Sequence, residues 1–375
     1  MKQRYFHIES RYIQALLLRE ERVMKIRKIL ITGSSGLIGS EAVRYYGAHG
    51  HKIIGIDNNL RKYFFGNEGD TSWNLKNLLN ANIDFTHLDI DIRDRDRILD
   101  VYKTHKPSVT IHCASQPSHD LAAKIPFDDF DTNAVGTLNL LEASRRFTFE
   151  SPFIYMSTNK VYGETPNEIE LIETATRYDY KDPLYYDGID ETMRIDRTKH
   201  SLFGASKAAG DLVTQEYGLY FNMPTVCFRG GCLTGPAHSA VELHGFLSYF
   251  VRAALMNKKY TIFGYKGKQV RDQIHSKDVI RAFDCFINKP RSGEVYNLGG
   301  GRMNSISIVE CRNLLKDSFG LTLDYTYSDN NRIGDHICYI SNLKKFKSHY
   351  PEWDIRINIP SIISEIIDAQ QDDHR

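Results

Sequence analysis

Lys28-Ile29-Leu30-Ile31-Thr32-Gly33-Ser34-Ser35-Gly36-Leu37-Ile38-Gly39 is the stretch on which the reading of this chain turns. Its opening apolar run has the character of a strand buried on both faces, as in a parallel sheet. Glycines at 33, 36 and 39 follow at once, and residues 40–49 carry a helical pattern. Gly33 lets the chain turn sharply, and Gly36 lets backbone approach a pyrophosphate resting on the N–H groups of the next helix. Gly39 lets that helix pack close to the strand. The plainer alternative is an ordinary strand–turn–helix with an N-capping acid nearby. A second apolar strand, Lys52-Ile53-Ile54-Gly55-Ile56, ends in Asp57, eighteen positions after Gly39. A carboxylate there accepts the ribose hydroxyls of NAD and repels the 2′-phosphate of NADP. The stretch points to a dinucleotide site that takes NAD, with Gly33, Ser35, Gly36, Leu37, Ile38, Gly39, Asp57 and Asn58 as its candidate residues.

The chain has 375 residues and a formal net charge of +1, so it has room for two domains or one large one. Balanced charge gives no footprint of a nucleic-acid or membrane-surface binder. Six cysteines (113, 227, 232, 285, 311, 338) lack C-x-x-C spacing and suit small buried residues of a reducing compartment, which points to the cytoplasm. Cys227, Cys232, His238 and His244 match no familiar zinc spacing, and no metal is expected. No apolar run approaches bilayer length. Residues 1–23 read as an upstream start or a helical extension; charged Arg19-Glu20-Glu21-Arg22 directly follows their apolar run, unlike a signal peptide.

Strand and helix patterns alternate from residue 28 to about 230, which predicts an α/β fold with a doubly wound parallel sheet. Strands are expected at 85–88, 109–114, 152–156 and 225–228, with helices at 74–80, 95–104, 131–147 and 206–221. Residues 61–73 read as a polar, aromatic loop, and Leu138, Leu141 and Ala143 as the apolar side of the 131–147 helix. Beyond 230 the pattern is mixed, with short strands at 260–263, 294–298 and 323–327. Helices are expected there at 246–256, 277–287, 306–317 and 360–370. The expected division is a dinucleotide-binding Rossmann domain over 24–230, also receiving parts of 270–300, and a smaller mixed α/β substrate domain over most of 231–375.

Several motifs together resemble the extended short-chain dehydrogenase/reductases that modify nucleotide sugars, the epimerases and dehydratases related to UDP-galactose 4-epimerase. They are Thr32-Gly33-Ser34-Ser35-Gly36-Leu37-Ile38-Gly39, Asp91-Ile92-Arg93-Asp94, His112-Cys113-Ala114-Ser115-Gln116 and Asn133-Ala134-Val135-Gly136-Thr137. Ser157-Thr158-Asn159-Lys160-Val161-Tyr162-Gly163, Arg271-Asp272-Gln273-Ile274-His275 and Tyr296-Asn297-Leu298-Gly299-Gly300 complete the set. Within the family, Asn159-Lys160 and the run Gly267-Lys268-Gln269-Val270-Arg271-Asp272 look most like the CDP-paratose/CDP-tyvelose 2-epimerases. The 4,6-dehydratases carry Asp-Glu where this chain has Asn159-Lys160. The resemblance implies NAD-dependent epimerisation of a nucleotide-diphosphate sugar through a transient keto-sugar, at C2. A UDP-sugar 4-epimerase and a 4,6-dehydratase are the enzymatic alternatives. It also implies a homodimer built on the helices at about 133–147 and 206–221.

By the same resemblance Thr158 hydrogen-bonds the reacting sugar hydroxyl, and Lys207 binds the nicotinamide ribose and lowers the pKa of a tyrosine four residues earlier. Asp91 and Ile92 belong to the adenine pocket, Cys113, Ala114, Ser115 and Gln116 to the cofactor wall, and Asn133 supports the site beneath the nicotinamide. Asn159, Lys160, Arg271 and Arg332 are expected to contact substrate, the arginines through its diphosphate. The tyrosine position, however, is Phe203, in Phe203-Gly204-Ala205-Ser206-Lys207. A phenyl ring neither accepts nor donates the proton, and loss of a positioned general base costs roughly 10²–10⁴-fold in rate. The chain therefore carries an engineered change, belongs to a branch in which another residue takes the proton, or binds NAD and a nucleotide sugar without turnover. Nearby polar residues offered as replacements are Tyr185, Tyr186, Asp187, Glu191, His200, His238, Glu242 and His244.

Overall fold

A computed structural model of the chain describes residues 26–239, 245–330 and 335–372. Seven parallel strands form its central sheet: β1 (Lys28–Thr32), β2 (Lys52–Ile56), β3 (Phe85–Leu88), β4 (Val109–His112), β5 (Phe153–Thr158), β6 (Thr225–Gly230) and β7 (Glu294–Leu298). Their order is β7-β6-β5-β4-β1-β2-β3. The chain therefore winds outward from β1 in one direction and then, from β4, in the other, which leaves a crevice at the strands' carboxyl ends.

Both faces are covered. Ile29 and Ile31 of β1 pack with Ala42, Val43 and Tyr46 of α1 (Leu37–Ala48) and with Val279, Ile280 and Phe283 of a later helix, Ser276–Asn288. Leu30 points the opposite way, toward Val101 and Tyr102 of α2 (Arg95–His105) and Leu140 and Leu141 of α3 (Gly136–Phe147). An uninterrupted apolar strand is the sequence consequence of this two-sided burial. The Rossmann-type fold is as expected.

The differences from expectation have local causes. Residues 61–73 are not a loop: helix Leu60–Phe65 and the turn Gly66–Gly69 occupy them. Side-chain capping closes this segment, with Asn59 Oδ1 accepting from Thr71 N at 3.1 Å and Asp70 Oδ1 from Ser72 N at 2.8 Å. Leu138 is 38% exposed, whereas Leu140 is fully buried. Two residues are about 200° around a helix, so only one of this pair can face the sheet. The strand expected at 294–298, within the 270–300 stretch read as rejoining the Rossmann domain, pairs in parallel with β6, Val295 beside Cys227. The helix expected at 206–221 starts earlier, as α4 (Ser201–Phe221), so Phe203 and Lys207 share its amino-terminal end.

A second layer grows from the carboxyl end of β6. Strand Val270–His275 pairs in parallel with Cys232–Thr234 and with Cys338–Tyr339, and antiparallel with Ser305–Ser307. A separate core of Leu247, Phe250, Val251, Ile262, Ile306, Ile362 and Ile363 supports it. This layer stands over the crevice. Among the described residues, no helix is long and apolar enough to cross a membrane.

Candidate active site

The glycine turn is built as a cradle. Gly33 has φ +67°, and a Cβ there would lie 2.8 Å from the Ala114 amide nitrogen. At Gly39 a Cβ would lie 2.0 Å from the Gly33 carbonyl oxygen. Helix α1 begins at Leu37 with no side-chain cap on its first turn, so its end is presented to the crevice as an anion site. Asp57, at the end of β2, accepts the amides of Ser35 at 2.9 Å and Asn59 at 2.8 Å. Burial pushes its pKa up and these two N–H groups oppose that shift. Turn, helix end and carboxylate fit an adenine dinucleotide: Gly33, Gly36, Leu37, Ile38 and Gly39 would hold its pyrophosphate, and Asp57 and Asn58 its ribose.

All of these face one cavity of about 440 Å³, which continues past Ile92, Cys113, Ala114 and Ser115 to Thr158, Asn159, Lys160, Phe203, Lys207 and Arg271. Thr158 is the last residue of β5, and its hydroxyl accepts the Lys160 amide at 3.3 Å. Lys207 is 3% exposed. Its Nζ donates to the Met156 carbonyl at 2.9 Å and lies 4.3 Å above the Tyr155 ring. Burial lowers its pKa to about 8, opposed by the neighbouring Cys113 and the Asp211 carboxylate. Phe203 stands one helical turn before it, in the cavity wall, where it packs as a tyrosine would but presents no hydroxyl.

Four expected cofactor residues stand behind the wall instead of on it. Ser35 is 2% exposed and turns its amide to Asp57 and its carbonyl to Asn74. Asp91 forms an ion pair with Arg93 at 2.7 Å. Gln116 and Asn133 hold each other, Gln116 N donating to Asn133 Oδ1 at 2.9 Å, and Asn133 Nδ2 reaches Ser206 of α4 at 3.0 Å. Asn133 lies in a π-helical turn, Asp131–Val135, a local widening of the helix often found at functional sites. These residues act by positioning.

The residues offered in place of the missing phenol are mostly remote. Tyr186 is stacked by Arg302, Asp187 pairs with Lys344, Glu191 accepts the Asn297 amide, and His200 is tied to the Val161 carbonyl. Tyr185 packs on Tyr180 at 5.9 Å. His238 does line the cavity, but burial, with Arg61 and Arg252 nearby, lowers its pKa to about 3. Glu242, His244 and Arg332 lie outside the described residues. Two wall residues escape sequence reading: Asp335, which pairs with Lys160 Nζ at 2.9 Å and Arg271 Nη2 at 3.6 Å, and His119, whose ring is 6.4 Å from that of Phe203. His119 lies three positions beyond the His112–Gln116 motif, and that proximity is the sequence signal that points to it.

The model of the NAD dependent epimerase/dehydratase family matches residues 29–299. The chain belongs to this family. It is thus an NAD-dependent enzyme of the epimerase/dehydratase type. It is 32% identical to the CDP-paratose 2-epimerase of Salmonella typhi, over 91% of this chain and 98% of that one. It is 28% identical to a dTDP-glucose 4,6-dehydratase of Escherichia coli, over 76% of each. A UDP-glucose 4-epimerase from Thermotoga maritima, solved with UDP-glucose, superposes with a TM-score of 0.74 at 23% identity, covering 93% of this chain and 100% of that one. The Thermus thermophilus UDP-glucose 4-epimerase, solved with NAD, gives 0.73 at 22% identity, covering 92% and 99%.

Proposed function

We propose that this enzyme epimerises a nucleotide-diphosphate sugar through a transient keto-sugar, at C2 of a CDP-sugar of the paratose/tyvelose type. The observation that carries the reading is the floor of the cavity after Thr158. Asn159 and the ion-paired Lys160 stand there, so neither position offers a carboxyl group to protonate a departing hydroxyl. That supports epimerisation over dehydration, and the near full-length similarity to a CDP-paratose 2-epimerase supports C2 over C4. NAD, when bound, accepts a hydride from the sugar carbon and returns it to the opposite face. Thr158 holds the reacting hydroxyl, Lys207 holds the ribose beside it, and Lys160 and Arg271 set positive charge where the diphosphate lies. Phe203 favours a second reading, a catalytically silent protein that binds NAD and a nucleotide sugar.

The test is incubation of the purified protein with CDP-paratose, CDP-glucose, UDP-glucose and dTDP-glucose, following sugar stereochemistry by NMR and bound NADH by its near-ultraviolet absorbance. Inversion at C2 of CDP-paratose is expected. Inversion of UDP-glucose at C4, or dehydration of dTDP-glucose, would overturn the substrate assignment. Absence of turnover and of transient NADH with all four leaves the silent-binding reading.

The same reading places the enzyme in the cytoplasm as a homodimer. Six free cysteines among the described residues suit a reducing compartment. Leu138 of α3 and Leu212 and Leu219 of α4 are exposed on neighbouring helices, apolar surface of the kind an interface covers. Sedimentation of a dimer, and of a monomer for Leu212→Glu/Leu219→Glu, is the expected outcome.

A further inference from the structure

From the contacts between the 60–73 segment and Ser239 we propose that Arg61, Trp73 and Ser239 form a clasp across the cavity wall, which parts for NAD to enter or leave. The inference rests on the assignment of this end of the cavity as an NAD site, and not on which sugar is converted. Holding the cofactor has a chemical reason. The proposed epimerisation sends hydride from the sugar to the cofactor and back to the same carbon, so a cofactor lost between the two steps strands a keto-sugar.

The clasp starts at the carboxylate that would hold the adenosine ribose. Asp57 Oδ1 accepts the Asn59 amide at 2.8 Å, and Asn59 Nδ2 donates to Asp70 Oδ1 at 2.8 Å, so one side chain joins Asp57 to the 60–73 segment. Helix Leu60–Phe65 then lays Leu60, Arg61 and Phe64 along the cavity wall beside Asp57 and Asn58. Ser239 comes to the same wall from the second layer, 178 positions further along the chain than Arg61. It follows strand Cys232–Thr234, which pairs with Val270–His275.

Three hydrogen bonds join the two sides. Arg61 Nη2 donates to the Ser239 carbonyl at 2.6 Å, Trp73 Nε1 donates to the Ser239 hydroxyl at 3.1 Å, and that hydroxyl donates to the Asp70 carbonyl at 3.4 Å. The Arg61 guanidinium also lies 4.8 Å over the Phe65 ring, which directs its stem toward Ser239. Leu60, Phe64 and Trp73 are not part of the apolar cores of the described residues. Parting the clasp therefore breaks polar contacts and leaves those cores closed, the character of a local opening and not of unfolding. Trp73 stands outside the described cavity wall, so it can hold Ser239 without touching what the cavity contains. That separates a clasp from a simple cofactor contact.

The experiment loads the full chain with radiolabelled NAD, adds a large excess of unlabelled NAD, and follows the label retained on the protein with time. Wild type is compared with Trp73→Phe, Ser239→Ala, Trp73→Phe/Ser239→Ala and Arg61→Met. Trp73→Phe keeps the ring and removes one neutral donor, so release should quicken about three- to tenfold. Arg61→Met removes a charged donor, and release should quicken about ten- to a hundredfold. The double variant should release no faster than Ser239→Ala alone, because both substitutions delete the same bond. Thermal melting of Trp73→Phe and Ser239→Ala should stay close to wild type, and these two decide the matter if Arg61→Met does not fold. Release within about twofold of wild type in both overturns the clasp. So does a double variant whose acceleration is the product of the two single ones. A wild-type protein that takes up no labelled NAD overturns the NAD site together with the clasp, whereas NAD held but released alike by every variant overturns the clasp alone.

Discussion

Lys207 Nζ donates to the carbonyl oxygen of Met156 at 2.9 Å, from a position in which the side chain is almost wholly buried. Because burial holds the ammonium's pKa near 8, its charged fraction falls tenfold for each pH unit above that. The pH profile of kcat/KM should therefore decline above about pH 8, and Lys207→Met should be slower on the order of 10²-fold with that limb absent. Lys207 sheds its proton more readily folded than unfolded, so its linkage raises stability between about pH 8 and 10.4. A concurrent melting curve should show that the decline is not unfolding driven by this residue.

Gly36 and Gly39 are separable. A Cβ at Gly39 meets the Gly33 carbonyl oxygen at 2.0 Å, while one at Gly36 meets that oxygen at 3.3 Å. Gly39→Ala should destabilise by about 1–3 kcal/mol or more through overpacking. Gly36→Ala should melt within a few degrees of wild type yet lose NAD. Thermal unfolding, with and without added NAD, checks both.

Asp57 is expected to set cofactor preference. Asp57→Asn removes the charge that opposes a 2′-phosphate while keeping an acceptor for the Ser35 and Asn59 amides. The ratio of NADP to NAD dissociation constants should fall at least about tenfold, one decade being about 1.4 kcal/mol. An unchanged ratio by calorimetry would remove Asp57 from the ribose site.

Arg229 and Asp211 form a buried pair behind the reacting end. The two meet at 2.8 Å with side chains 4% and 0% exposed, and Ser157, next to Thr158, donates to the same carboxylate at 2.5 Å. Arg229→Met leaves that carboxylate unpaired and should cost about 3–5 kcal/mol. Asp211→Leu/Arg229→Met should recover much of the loss in urea unfolding, while activity stays low because Ser157 has lost its partner.

How far the chain could be read follows the range of the interactions involved. Strand β1, the glycine turn, helix α1 and the carboxylate after β2 are local, since turn stereochemistry and burial period are written in consecutive residues. Phe203 and Lys207 were legible as a pair because four residues bring side chains to one helix face. Which motif residues face the cavity was not legible. Ser35, Asp91, Gln116 and Asn133 sit inside recognisable motifs, yet hydrogen bonds and ion pairs turn them behind the wall. His119 meets Phe203 from 84 positions away in the chain, and Asp335 meets Lys160 from 175. No local period encodes such meetings; they exist once the sheet has closed and its second layer has folded over the strand ends. The sequence alone thus determined a parallel sheet with a dinucleotide turn and a phenyl ring where a phenol is expected. Only the tertiary structure decided what stands beside that ring, because packing, not chain neighbourhood, sets which side chains share a cavity.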